Sequence, residues 1–543
     1  VAHGNGGDLL AQVLIDNGVD TAFGIVSVHN LPLVEAVAAR LRFVPVRHEA
    51  AAVNAADGYA RARGGLGVAI TSTGTGAGNA AGSLVEALTA GSRVLHVTGQ
   101  IDSPYLGQGR GVIHETRDQL GMLTAVSKHA ASISSVADAG PVLRRAVRHA
   151  LSLPCGPSSV EWPIDLQYAR HQVTPRGPEA PEPVPEPDPG ALARAAELIA
   201  AARRPVIWAG GGAVGARAEV RALAERLHAP VFTSNSGRGT LPEDHELVVG
   251  NFATHPAAAD LLAEADLLIS IGTHFRSNET RHYHLALPAA HVQIDVDPAA
   301  LGRVHPATAG IAGEAATVLR QLPVPAGDPA WRARAVATRA AVRAQLREAI
   351  GPYREICDAM RAGLPPDSVI ARDVTIPSSQ WGNRLLDIHH PRTNLFPVGG
   401  GIGQGLATGI GAAIAKPDAP TLVMAGDGGL AVHLGELGTL AQEKPWLVLV
   451  VFNDGGYGVL RNMQDHHGGS RAGVDLYTPD FSRLAQALDL PYQLVGRPEA
   501  FAEALGKAVA QHGPAVIEVD VTALDPAPRP FVPPVPVPAG QDR

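Results

Sequence analysis

Short apolar runs that end on glycine recur along the whole chain, and each is followed by an alanine-rich helical stretch. This pattern is the tightest constraint on the fold. A strand with no polar alternation needs cover on both faces, and a parallel sheet flanked by helices supplies it. In the first third the strand candidates are Thr21–Ile25, Phe43–Val46, Val68–Thr71 and Val94–Thr98, with helical runs Ala50–Arg63 and Ala77–Ala90 among them. The middle third offers Pro205–Ala209, Pro230–Thr233, Leu267–Ile271 and Val292–Ile294. The last offers Val369–Ala371, Thr421–Ala425, Leu447–Phe452 and Ala515–Val519. At 543 residues the chain is too long for one core. The expectation is an α/β protein of three doubly wound parallel-sheet domains, with ligands bound beyond the carboxyl ends of the strands.

Proline-rich segments punctuate the three blocks. Thr174–Gly190 carries proline at nearly every second position, which suits a stiff extended linker. The expected division is a first domain over 1–173, a linker over 174–189 and a middle domain over 190–322. A linker and helix over 323–349, a third domain over 350–524 and a proline-rich tail over 525–543 complete it. The tail reads either as a loose end or as an extended arm gripped through Phe531, Val532, Val535 and Val537. The 44 basic against 52 acidic residues, a net charge of -8, speak against a broad nucleic-acid surface. No apolar run approaches the roughly 18 residues of a membrane span. The opening Val1–Gly7 lacks the regions of a secretory leader. Cys155 and Cys357 stand far apart, so ordinary reduced thiols and a cytoplasmic location are expected.

The strongest chemical signal lies in Thr421–Asn453. An apolar strand ends in Gly426-Asp427-Gly428, a helix follows, and a second apolar strand ends in Asn453-Asp454-Gly455. Both turns then project from one edge of one sheet. Asp427 and Asn453 offer side-chain oxygens there, and the Gly455 carbonyl a third. With diphosphate oxygens and water they make a plausible octahedral Mg²⁺ site. Gly428 and Gly429 open the helix, so their N–H groups can face an anion. A lone strand-ending Asp is often just a helix cap. The paired strand ends and the 24 residues between Gly428 and Asn453 (429–452) set this one apart.

This arrangement resembles the cofactor signature of the thiamine diphosphate-dependent enzymes. Arg47-His48-Glu49, followed by Ala56-Asp57-Gly58-Tyr59-Ala60-Arg61, is similar to a second motif of the same superfamily. That resemblance implies that Glu49 hydrogen-bonds the aminopyrimidine, so that the cofactor itself removes the proton from its reactive carbon. Gly74-Thr75-Gly76-Ala77-Gly78-Asn79 resembles the family turn beneath the pyrimidine, with Thr75 and Gly78 departing from it and Asn79 retained. Gly399–Leu406 resembles a glycine-rich stretch in which Gly400 and the bulky Ile402 meet the cofactor, Ile402 as the wedge between its rings. Gly426, Gly428, Gly429 and Tyr457, the last in the turn Gly455–Gly458, complete the implied cofactor contacts. The resemblance spans almost the whole chain. It implies a site shared between two chains, so that Glu49 and Asp427 come from different subunits. A homodimer is then the minimum, and a homotetramer is expected.

The reacting pocket separates members of the superfamily. His29 sits where benzaldehyde lyase also has histidine, after Phe23-Gly24. Asp118-Gln119 resembles the pair of the benzaldehyde lyase and oxalyl-CoA group, with His114 just before it. His29, His114 and Gln119 are read as proton relays and carbonyl-oxygen partners. Pyruvate decarboxylases carry a catalytic Glu where Val459 or Leu460 stands, and acetohydroxyacid synthases a Trp near Met463. Both are missing. An apolar pocket poor in carboxylates leaves the reactive carbanion unprotonated for longer, which favours joining it to a second carbonyl. Acetolactate synthase-like carboligation or lysis, on a small 2-oxo acid, aldehyde or 2-hydroxy ketone, is therefore the leading expectation. A non-ligating decarboxylase of the benzoylformate decarboxylase type, a 2-hydroxyacyl-CoA lyase-like enzyme and a catalytically silent cofactor-binding subunit are the alternatives. Gly210-Gly211-Gly212 and Asp295-Val296-Asp297-Pro298 admit FAD or ADP in the middle domain, but without a full dinucleotide fingerprint neither is favoured.

Overall fold

The computed structural model describes residues 2–533. Three six-stranded sheets follow one another along the chain, and every strand pair within them is parallel. The first sheet runs, in spatial order, Arg42–Pro45, Thr21–Gly24, Gly67–Thr71, Val94–Gln100, Ser158–Pro163 and His129–Ser132. The third runs Asn394–Leu395, Val369–Arg372, Thr421–Gly426, Leu447–Asn453, Ala515–Asp520 and Tyr492–Val495. The two orders are the same. In each, the chain steps outward once and then crosses to the other side of its starting strand. Loops leaving the two strands at this reversal diverge and open a crevice. In the first sheet they are the loop to His29 and the turn Ser72–Gly74; in the third they follow Arg372 and Gly426. The middle sheet reverses between Pro205–Ala209 and Leu267–Ile271. A two-stranded antiparallel ribbon pairs Ala2–Gly4 with His171–Val173.

Burial explains the unpatterned strands. All residues of Gly67–Thr71, Val94–Gln100 and Thr421–Gly426 are buried, because helices cover both faces. Short edge strands such as His129–Ser132, polar and only half-buried, carry no such signature. Among the described residues no helix is long and apolar enough to cross a membrane.

The first and third domains meet helix to helix. Helix Glu49–Arg63 lies against helix Gly405–Ala415, and both leave turns at the carboxyl ends of their sheets. A side-chain carbon at Gly58 would come within 2.0 Å of the Thr408 carbonyl oxygen, and one at Gly411 within 1.9 Å of the Ala55 carbonyl oxygen. Glycine on each helix thus lets backbone approach backbone. The middle domain is tied in by buried charge. Arg238 pairs with Glu243 at 2.6 Å and donates to the carbonyls of Gly382 and Leu386 in the third domain. Arg276 donates to the carbonyls of Val398 and Thr89, reaching the third and first domains at once.

The segment between the first two domains runs along the first one, where Glu179 pairs with Arg148 at 2.8 Å and its N–H donates to Asn17. The C-terminal segment folds back. Pro528 and Ala527 pack on Gly351, and Asn462 donates to the Phe531 carbonyl at 3.0 Å. Of the four apolar residues expected to grip, Val535 and Val537 lie outside the described residues.

The glycine crossing is directly testable. Gly58→Val or Gly411→Val should cost about 1–3 kcal/mol or more, because the new side chain meets backbone that cannot swing away. Gly506→Ala, in an open helical position with nothing within 4 Å, should be neutral or stabilising. Melting temperatures that fall equally in all three variants, or in none, would contradict this account.

Candidate active site

In the third domain, Thr421–Gly426 and Leu447–Asn453 are neighbours, with Gly426 opposite Phe452. Asp427 and Asn453 therefore leave the sheet side by side, which is why their spacing in the sequence is informative. Asp427 begins the helix Asp427–Val432 and is 1% exposed. Its Oδ1 accepts from the Asp454 N–H at 3.2 Å, while its Oδ2 is buried without a partner. Burial pushes this carboxyl above its ordinary range. The Asp454 carboxyl is pushed up to about 6 by burial and then by the charge of Asp427. A cation placed here would relieve both. Asn453 is oriented from behind: its Nδ2 donates to Glu518 at 2.8 Å, and Glu518 also accepts from Tyr492. Its Oδ1 meets only the Gly455 N–H, at 3.3 Å.

Gly455 follows in the same turn. Its carbonyl accepts from the Arg461 guanidinium and from the Leu476 N–H, each at 3.0 Å. Gly428 is required where it stands, since a side-chain carbon there would lie 2.7 Å from the Gly456 carbonyl and 2.8 Å from the Tyr457 ring. The turn containing Gly426, Gly428 and Gly429 and the turn containing Tyr457 are thereby pressed together.

The loop bearing Gly400 and Ile402 is held by residues that no motif disclosed. Asp373, buried at the end of strand Val369–Arg372, accepts from the N–H groups of Gly403, Gly405 and Val374. Glu86 of the first domain accepts from the Gly399 N–H at 2.7 Å, and the His433 ring meets the Gly403 carbonyl at 3.0 Å. Gly400 and Gly403 adopt φ of 83° and 82°, which favour glycine. So fastened, the loop leaves Ile402 38% exposed. The one available signal for Asp373 is that an acid follows an apolar strand, as Asp427 does.

In the first domain Glu49 is the first residue of its helix, capped by His48, whose ring accepts from the Ala50 N–H. Asn79 donates to Glu49 Oε2 at 3.0 Å. A side-chain carbon at Gly76 would stand 3.0 Å from Glu49 Oε1, so glycine there leaves the carboxylate room. Thr75 and Asn79 are exposed on the same turn. His29 and His114 come together with 3.3 Å between their Nδ1 atoms. Burial, and then the charge of His114, hold the His29 imidazole below its usual range. One ring must donate and the other accept, so the pair shares a single proton between the facing nitrogens. Gly74 at φ 60° brings this turn against the His114 carbonyl, where a side-chain carbon would lie at 2.2 Å.

Gln119 is placed differently from the reading as a carbonyl-oxygen partner. Its oxygen accepts from Thr73 Oγ1 and the Gly74 N–H, at 2.9 and 2.7 Å. Its amide donates to the Gly99 carbonyl and to Glu161. All four capacities are taken inside the protein. Gln119 is a strut under the turn that faces His114, with Glu161 behind it.

The two halves touch within one chain through His48 and His433, whose rings lie 5.0 Å apart, and through the Arg47 N–H, which donates to Glu436. Among the described residues, the hydrogen bonds of Glu49 include Asn79 but none to Asp427, Asn453 or the Ile402 loop. In the middle domain the glycines of 210–212 serve the packing of their own sheet. Side-chain carbons at Gly210 and Gly212 would meet Gly272 at 2.1 and 2.7 Å. Asp295 and Asp297 accept from backbone N–H groups two residues ahead of each.

Comparison with known proteins agrees along the chain. Residues 4–122 match the family model for the N-terminal TPP binding domain of thiamine pyrophosphate enzymes, 192–322 the central domain, and 377–519 the C-terminal TPP binding domain. The chain is 34% identical over 498 residues to a protein named probable 2-ketoarginine decarboxylase AruI from Pseudomonas aeruginosa, covering 89% of this chain and 88% of that one. It is 30% identical to a probable acetolactate synthase large subunit of Methanocaldococcus jannaschii, covering 97% and 93%. It is 29% identical to acetolactate synthase isozyme 2 large subunit of Escherichia coli, covering 98% of each.

Proposed function

The chain belongs to the thiamine pyrophosphate enzyme family and is a thiamine diphosphate-dependent enzyme, and from that premise we propose that it breaks the C–C bond beside the carbonyl of a small 2-oxo acid, with Mg²⁺ as its second cofactor. Bound cofactor supplies the nucleophilic carbon and the electron sink for the breaking bond. The protein's part is to hold it and to govern protons. Asp427 and Asn453 would hold the ion. The unpartnered Asp427 Oδ2 supports this, and the Gly455 carbonyl, diphosphate and water would fill the remaining positions. The N–H groups of Gly428 and Gly429 would face the diphosphate, with Gly426 and Tyr457 shaping that turn. Ile402 and Gly400 would meet the rings, and Glu49, steadied by Asn79 beside Thr75, would hold a proton at the pyrimidine. As the family resemblance implies, two chains would complete each site, in a homodimer or homotetramer.

The fate of the cleaved fragment turns on the His29–His114 pair. A 3.3 Å contact between imidazoles, one of them held below its usual range by burial, is a proton relay poised at the pocket. It favours protonation, and hence release of CO₂ and an aldehyde, so decarboxylation moves ahead of the ligation that the sequence put first. The relative named as a 2-ketoarginine decarboxylase supports the same order. Carboligation is the second reading. Ile402 and Leu460, 38% and 49% exposed, provide apolar surface beside the site, and several relatives are named acetolactate synthases.

Two experiments separate the roles. Glu49→Gln should bind cofactor nearly normally yet lose at least about 10²-fold in kcat, whereas Asp427→Ala should lose Mg²⁺ and weaken diphosphate binding in calorimetry. Unchanged turnover in the first, or unchanged affinities in the second, would remove that residue from its role. With a panel of 2-oxo acids the purified enzyme should release free aldehyde, and His114→Phe should slow that release by about 10²-fold and raise the share of acyloin. Acyloin as the sole product of the unmodified enzyme would overturn the protonation reading.

A further inference from the structure

A crevice of about 270 Å³ opens where the middle domain, the third domain and the folded-back C-terminal segment meet. Thr254, Gln380, Arg384, Arg529 and Phe531 lie on its walls. None of them is a residue assigned to the cofactor or the reacting pocket. We propose that this crevice binds a small anion with a carboxylate or phosphate head, held by Arg384 and Arg529.

Arg384 carries the argument. Burial lowers the pKa of its guanidinium, and no nearby carboxylate offsets that effect. Among the described residues its side chain makes no hydrogen bond and no ion pair. The other enclosed arginines of these two domains are not left so. Arg238 has Glu243 and two carbonyls, Arg372 has Asn383 and Asn394, and Arg361 has three carbonyls. Arg384 is half-buried, so its unpaired guanidinium is open to the crevice. A planar fork of donors is matched by carboxylate or phosphate.

The surroundings point the same way. Burial, and then the charge of Arg384, hold the imidazole of His255, next to Thr254, below its usual range, and its Nδ1 is buried with no partner. The opposite wall brings a second cation, since Arg529 is exposed and, among the described residues, makes no ion pair. Its position is set by the two points that fasten this segment, Gly351 against Ala527 and Pro528, and Asn462 to the Phe531 carbonyl. Thr254 and Gln380 add polar groups, and Phe531 adds an apolar surface for a short carbon chain. The walls therefore present two positive groups, neutral polar groups and an apolar patch, with no carboxylate among the lining residues.

Calorimetric titration of the full-length, cofactor-loaded protein with succinate and with inorganic phosphate tests the proposal. Saturable binding of at least one anion is expected, weakened about 10–100-fold in Arg384→Gln and in Arg529→Gln. Arg529 lies on an exposed segment, so its variant decides the matter should Arg384→Gln not fold. The source of the anion is read from kinetics. A KM increase in the variants for 2-oxoglutarate and not for pyruvate places the far carboxylate of a substrate in the crevice. Unchanged KM for both, with weakened phosphate or succinate binding, assigns it to a separate effector. No saturable binding of either anion, or equal binding by the unmodified protein and both variants, overturns the proposal.

Discussion

The crossing of helices Glu49–Arg63 and Gly405–Ala415 governs the geometry of everything functional in this chain. Each helix starts at a candidate site: Glu49 is the first residue of one, and the Ile402 loop runs directly into the other. Their contact at Gly58 and Gly411 brings backbone against backbone, which leaves little freedom in spacing or tilt. Alanine recurs at this interface: Ala55 lies against Gly411, Ala62 joins the apolar core of the third domain, and both are buried. They hold the helices close where larger side chains would part them. The low aromatic content of the chain, 4%, fits a protein whose domains meet through small residues.

Around that crossing, loops are positioned by buried polar groups rather than by apolar contacts. Asp373, Glu86 and His433 fix the glycine-rich loop of the third domain, and Gln119 with Glu161 fixes the turn of the first. A buried polar group left unpaired is costly, so these hydrogen bonds select one loop conformation out of many. At Asp427 Oδ2, a buried oxygen without a partner, and at the half-buried, unpaired Arg384, the molecule is open to something it does not itself contain.

Much of this was legible in the sequence. Apolar central strands announced themselves by composition, and the relation of Asp427 to Asn453 followed from a strand–helix–strand unit whose strands are neighbours. Edge strands such as His129–Ser132 and Asn394–Leu395 were not legible, being short and polar or half-covered. Nor were the partners of the Gly455 carbonyl, because Arg461 and Leu476 are placed by tertiary packing. Gln119 was singled out by resemblance, yet its function as a strut depends on Glu161, 42 residues further on. Side-chain identity marked the site; which atoms remained free within it was decided by partners distant in sequence.

The C-terminal segment has a practical consequence. Its last described residues are tethered by Asn462, which belongs to the helix Gly458–His466 that leaves the turn of Asn453 and Gly455. At the other end, Ala2–Gly4 is stitched into a ribbon with His171–Val173. A purification tag or fusion partner joined after this segment would pull on the helix beside the candidate metal ligands. One joined before Ala2 would load only the ribbon at the close of the first domain, and is the gentler choice for handling the protein.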